Sequence, residues 1–124
     1  MRKEERINKE MIVNSVIDNL LEEQEPEEIK TPYISKYESP SKLKLESTNE
    51  TFVPDIIATY KDSSNYYEIE LDDDFKINKW KLFSIQAKKR KGDLYLVVPE
   101  WLKESVKNEL INQNIPARII FFTI

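Results

Sequence analysis

Cysteine and histidine are both missing from these 124 residues. Disulfides, thiolate nucleophiles, imidazole bases and the usual zinc ligands are thereby excluded together. Any chemistry must run on carboxylates, lysines or hydroxyls. Glycine occurs once, at Gly92, while 40% of the residues are hydrophobic and 34% charged, a balance that fits a globular domain of regular elements rather than a disordered tail. The charged start, Met1-Arg2-Lys3-Glu4-Glu5-Arg6, leads into no long apolar core. Neither a signal peptide nor a membrane span is therefore expected, and the expected location is the cytoplasm. The length suits one domain.

A net charge of −4 argues against blanket electrostatic attraction to nucleic acid, whose affinity comes largely from phosphate neutralisation. The distribution says more than the sum. Asp62 to Asp74 holds six acidic and no basic residues, whereas Lys76 to Lys91 holds seven basic and no acidic ones. The segregation is compatible with two solvated surfaces or with a binding face.

Apolar residues at Ile7, Met11, Val13, Val16, Ile17, Leu20 and Leu21 predict a first helix over about Glu4 to Glu23. Gln24 to Ser41, with Pro26, Pro32 and Pro40, reads as an ordered surface connection. Lys42 to Glu46, Thr51 to Tyr60 and Tyr66 to Leu71 predict three strands, the last two joined through Asp62-Ser63-Ser64-Asn65 as a hairpin. Ile77, Trp80, Phe83 and Ala87 predict a second helix from Lys76 to Lys91, ended by Gly92. Leu94 to Val98 reads as a strand covered on both faces, Trp101 to Asn114 as a third helix, and Ala117 to Ile124 as a closing strand. The expected fold class is therefore α/β (α+β), a mixed sheet flanked by helices.

Alternation along the third strand sends Tyr66, Glu68 and Glu70 to one face and Tyr67, Ile69 and Leu71 to the other. Two neighbouring carboxylates repel unless water, a lysine or a cation relieves them, so the pair is either a metal-site candidate or the wet face of an edge strand. Hairpin register can bring Asp55, after Pro54, beside Glu68; alone, Asp55 reads as a turn carboxylate. Oxygen-only ligation suits magnesium or manganese. The cluster is expected to face solvent, because unpaired buried carboxylates are costly.

Pro54-Asp55, then Glu68-Ile69-Glu70 on the next strand, then a lysine-bearing helix and an apolar strand resemble the PD-(D/E)xK nuclease superfamily. Its α-β-β-β-α-β core would cover Glu4 to about Val98, with a further helix and strand appended. The resemblance implies that Asp55 and Glu68 hold the metal, and that Glu70 stands where the family usually places its catalytic lysine. Some members keep glutamate there and remain active. Others move the lysine to the following helix, where Lys79 or Lys81 are the candidates, and others have lost catalysis. The first helix of the family often adds an acid, and at 100° per residue Glu10 falls in the sector of Ile7, Ile17 and Leu21.

The resemblance thus implies a magnesium- or manganese-dependent nuclease acting on DNA phosphodiesters. Its catalytic residues would be Asp55, Glu68, Glu70 and Lys79, its metal ligands Asp55, Glu68 and Glu10. Lys79, Lys81, Lys88, Lys89, Arg90 and Lys91 would meet the DNA backbone; the run at the helix end also complements the helix dipole without any ligand. A symmetric homodimer is an assembly common among small nucleases. The alternative is a catalytically silent nuclease fold serving as a DNA- or protein-binding scaffold.

Overall fold

The computed structural model describes the backbone of residues 3–123 and the side chains of residues 8–123, so the side chains of Ile7 and of the charged start lie outside it. Helix α1 spans Lys3–Glu23, followed by strands β1 (Glu28–Lys30), β2 (Leu43–Leu45), β3 (Glu50–Phe52), β4 (Ile56–Thr59) and β5 (Ser64–Ile69). Helix α2 (Ile77–Lys89), strand β6 (Leu94–Pro99), a 3₁₀ turn (Glu100–Leu102), helix α3 (Lys103–Asn112) and strand β7 (Arg118–Phe122) complete it. Five strands form one mixed sheet in the order β1-β4-β5-β6-β7. Its first two pairings are antiparallel and its last two parallel.

The sheet separates two apolar layers, which makes it the middle of three. On one side Val13, Ile17 and Leu20 of α1 pack on Ile29, Ile56, Ala58, Tyr67, Ile69 and Val97. On the other, Trp80, Phe83 and Ala87 of α2 and Val106 and Leu110 of α3 pack on Tyr66, Leu94, Leu96 and Val98. The alternation expected along β5 holds, and β6 is covered on both faces as its unbroken apolar run implies. The stripe of α2 is core. Among the described residues, no helix is long and apolar enough to cross a membrane.

Two expectations are corrected. The first strand of the sheet is not Lys42 to Glu46 but β1, inside the stretch read as a surface connection. A three-residue strand between Pro26 and Pro32 is too short to show a period, yet it buries Ile29. Residues 43–45 instead pair with β3 in a separate two-stranded ribbon, Leu43 opposite Phe52. The stretch Thr51 to Tyr60 is also two strands rather than one, because Pro54 has no N–H with which to continue a ladder.

The end of α2 departs from the usual pattern as well. Gly92 N–H donates to the Ala87 carbonyl at 2.8 Å and Lys91 N–H to that of Lys88 at 3.0 Å, which is a Schellman-type stop. The residue in the left-handed conformation is Lys91, at φ 62°, and not Gly92. Gly92 serves a different need: a Cβ there would lie 1.8 Å from the backbone oxygen of Ser64. Only a residue without a side chain can pass the start of β5 at that point.

Candidate functional site

Pro54 ends the β4 ladder two residues before Ile56, which pairs with Tyr67, so Asp55 stands opposite Glu68. The two residues then continue the pairing through side chains. Asp55 N–H donates to Glu68 Oε1 at 2.8 Å, and Ile69 N–H donates to Asp55 Oδ2 at 2.9 Å. Backbone donors that a regular ladder would have used are satisfied by two carboxylates, through charge-assisted bonds stronger than neutral ones.

Glu70 lies two residues further along the same face. Its Oε1 accepts the Trp80 indole N–H at 3.1 Å. The neighbouring helix residue, Lys79, places Nζ 2.9 Å from Glu68 Oε2 and 3.3 Å from Glu70 Oε1. Lys79 and Trp80 belong to the start of α2, where the helix dipole also favours carboxylates. Of the two helix lysines expected from the sequence, Lys79 reaches the cluster; Lys81 is exposed.

From the opposite side of the sheet comes Lys9, whose Nζ is 3.0 Å from Asp55 Oδ2 and 5.3 Å from the centre of the Tyr33 ring. The α1 side chain that reaches Asp55 is thus a cation, and not the adjacent acid Glu10, which is half-buried. Among the described residues no three acidic side chains are grouped as a metal-holding set. The sequence carried a signal for Lys9: it lies four residues before Val13 and eight before Ile17, on the buried stripe itself.

The cluster does not face solvent, contrary to expectation: Asp55, Glu68 and Glu70 are only 3%, 1% and 6% exposed. Burial is tolerated because the carboxylates are paired, and among the described residues no buried side-chain polar atom lacks a hydrogen-bond partner. Among the described residues, three carboxylates and two ammonium groups leave one negative charge in excess when all are ionised. Burial raises the pKa of Glu68, the charge of Asp55 raises it further, and Lys79 and Lys9 oppose the rise. A proton on Glu68 would remove the excess. Burial works to lower the pKa of both lysines, but Asp55 and Glu68 around Lys9, and Glu68 and Glu70 around Lys79, outweigh it and hold both firmly cationic. The Tyr33 phenol is also raised, by burial and then by Asp55.

The basic run occupies the other end of α2. Lys88 lies nine positions after Lys79, roughly 14 Å along the helix. Lys88 pairs with Asp93 at 2.9 Å, and Arg118 reaches the same carboxylate at 3.3 Å, while Lys89, Arg90 and Lys91 are exposed. Lys81, Lys88 and Lys89 line an open cavity of about 550 Å³ against Ile115 and Pro116. The acids Asp62, Asp72, Asp73 and Asp74 are exposed, so the acidic stretch divides into a buried pair and the solvated turns on either side of it.

Comparison of the chain with protein-family models, with curated proteins and with solved structures finds no match.

Proposed function

We propose that the chain is a nuclease-fold domain that acts on DNA phosphodiesters with a divalent cation. The observation that carries this reading is the arrival of Lys79 from α2 at Glu68 and Glu70. A lysine is thereby returned to the carboxylates although the strand position itself holds Glu70. The order of the elements that build the sheet, α1, β1, β4, β5, α2 and β6, with the β2–β3 ribbon set apart, supports the reading.

The donor set suits a hard ion. Asp55 and Glu68 offer oxygen only, and magnesium is commonly held by one or two carboxylates together with water and substrate phosphate rather than by an all-protein cage. One cation, the Lys9 ammonium, already stands on Asp55. Asp55 and Glu68 would hold the metal, and a metal so held supplies Lewis-acid polarisation of the phosphoryl oxygen and a more acidic water. Lys79 stays protonated and offers a fixed positive charge to a phosphate oxygen. Glu70, held by the Trp80 indole, positions Lys79. Lys81, Lys89, Arg90 and Lys91 are the backbone contacts along the outside of α2.

A second reading, a silent scaffold of the same fold, is favoured by the burial and mutual pairing of all three carboxylates. Cleavage of single-stranded, duplex and branched DNA in magnesium or manganese, with and without chelator, separates the two. The nuclease reading expects cleavage that chelator abolishes and that Asp55→Asn and Glu68→Gln each reduce by at least about 100-fold, with circular dichroism unchanged. No cleavage of any substrate by the wild-type protein would leave the scaffold.

A further inference from the structure

We infer that Lys9 is a built-in counter-cation that occupies the divalent-ion position on Asp55, so that metal loading requires its ammonium to leave. The inference rests on the metal-dependent reading above and adds a residue and a step to it.

Geometry comes first. Lys9 Nζ lies 3.0 Å from Asp55 Oδ2, an oxygen that also accepts Ile69 N–H. That carboxylate cannot serve a metal fully while it serves the lysine. Space gives a second reason. Magnesium dehydrates reluctantly and keeps several waters, whereas Asp55 and Glu68 are almost completely enclosed. A lysine ammonium needs no water shell there, since the protein delivers it already surrounded by partners. With the ammonium in place on Asp55, the enclosure leaves no room for a hydrated ion.

Charge balance identifies which lysine yields. With all three carboxylates ionised, as a metal needs them, they and the two ammoniums sum to one negative charge among the described residues. A divalent ion added with both lysines retained would leave one positive charge in a nearly dry site, and release of one lysine would restore neutrality. Lys79 is gripped by two carboxylates, Glu68 and Glu70. Among the described residues Lys9 makes a direct ion pair with Asp55 and otherwise lies over the Tyr33 ring. Lys9 is therefore the one that moves, and its flexible four-carbon stem lets the ammonium swing outward without displacing α1.

The test uses the full chain stripped with chelator. Isothermal titration with manganese chloride is expected to give Lys9→Met an affinity about tenfold above wild type, with Lys9→Arg, which keeps the charge, close to wild type. Removing any nearby positive charge would favour a cation to some degree, so a second measurement decides. In the wild-type protein, selectively labelled lysine side chains are followed by NMR during magnesium titration. The Lys9 ammonium signal is expected to move to the position of an exposed lysine, while that of Lys79 stays. This readout needs no variant to fold. A Lys9 signal unmoved at saturating magnesium overturns the inference and leaves the metal reading standing. Titrations with neither heat nor any shift in wild type and both variants overturn the two together.

Discussion

Helix α2 makes an ion pair of the same length, 2.9 Å, at each of its ends: Lys79 to Glu68 at its start, Lys88 to Asp93 at its finish. The surroundings differ. The Lys79 and Glu68 side chains are 16% and 1% exposed, those of Lys88 and Asp93 57% and 31%. At the buried end neither partner can fall back on water, so loss of one leaves the other stranded. At the wet end solvent and salt take over whatever the pair gives up. Pair distance alone says little about energetic weight, and a segregated charge pattern can hide two unrelated physical situations within one helix.

The sharpest way to break the comparison is to remove each lysine in turn. Lys79→Met is expected to destabilise by about 3–5 kcal/mol in urea unfolding at neutral pH, because it strands buried Glu68 and Glu70. Adding Glu68→Gln should recover part of that loss. A cost of a few tenths would mean the cluster is wetter than its geometry.

An intermediate effect is expected from pH. Glu68 has a folded-state pKa raised above the ordinary 4.5, so the folded chain keeps a proton that the unfolded chain releases. Its contribution is fully present below the unfolded value and is lost as pH rises through the folded one. Metal-free wild-type protein should therefore lose stability relative to Glu68→Gln as pH is raised from about 4.5, by up to about 1.4 kcal/mol per unit. A difference that grows with pH instead would reverse the assignment. The two lysines, also raised, contribute stability lost only at alkaline pH, above their ordinary 10.5.

The smallest effect belongs to the wet end. Lys88→Gln should change stability by less than about 1 kcal/mol, less still in high salt. It removes the hydrogen bond that holds Asp93 below the ordinary carboxylate range, so the Asp93 carboxyl should titrate at higher pH by NMR. A large stability loss would make the two ends alike after all.

Most of the architecture was legible because long elements declare their period: α1, α2, α3, β5 and β6 all fall within a few residues of where apolar spacing puts them. The failures are local and have physical causes. Strand β1 is too short to carry a period. In α1 the expected stripe took in Met11 and Leu21, which are 62% and 45% exposed, and so was turned by nearly one residue from the buried line of Val13, Ile17 and Leu20. That rotation directed attention to Glu10 and away from Lys9. Asp55 and Glu68 were legible as neighbours, because strand alternation and hairpin register bring them together, whereas Lys79 came only from the family resemblance, as one of two candidate lysines. Their enclosure was not, since it depends on side chains arriving from α1 and from Tyr33, across the sheet and far apart in sequence.

Gly92 joins these observations. By admitting the backbone of β5 where any Cβ would collide, it fastens the finish of α2 to the sheet, with Ser64 N–H bonded to the Arg90 carbonyl and Tyr66 N–H to that of Asp93. The helix is thereby a gauge of fixed length, read from its fastened end back to Lys79. A residue inserted or deleted between Lys79 and Gly92 would turn the lysine by about 100° and shift it by about 1.5 Å, away from both glutamates. The exposed β4–β5 turn can grow or shrink with little consequence for the cluster, whereas α2 has one workable length.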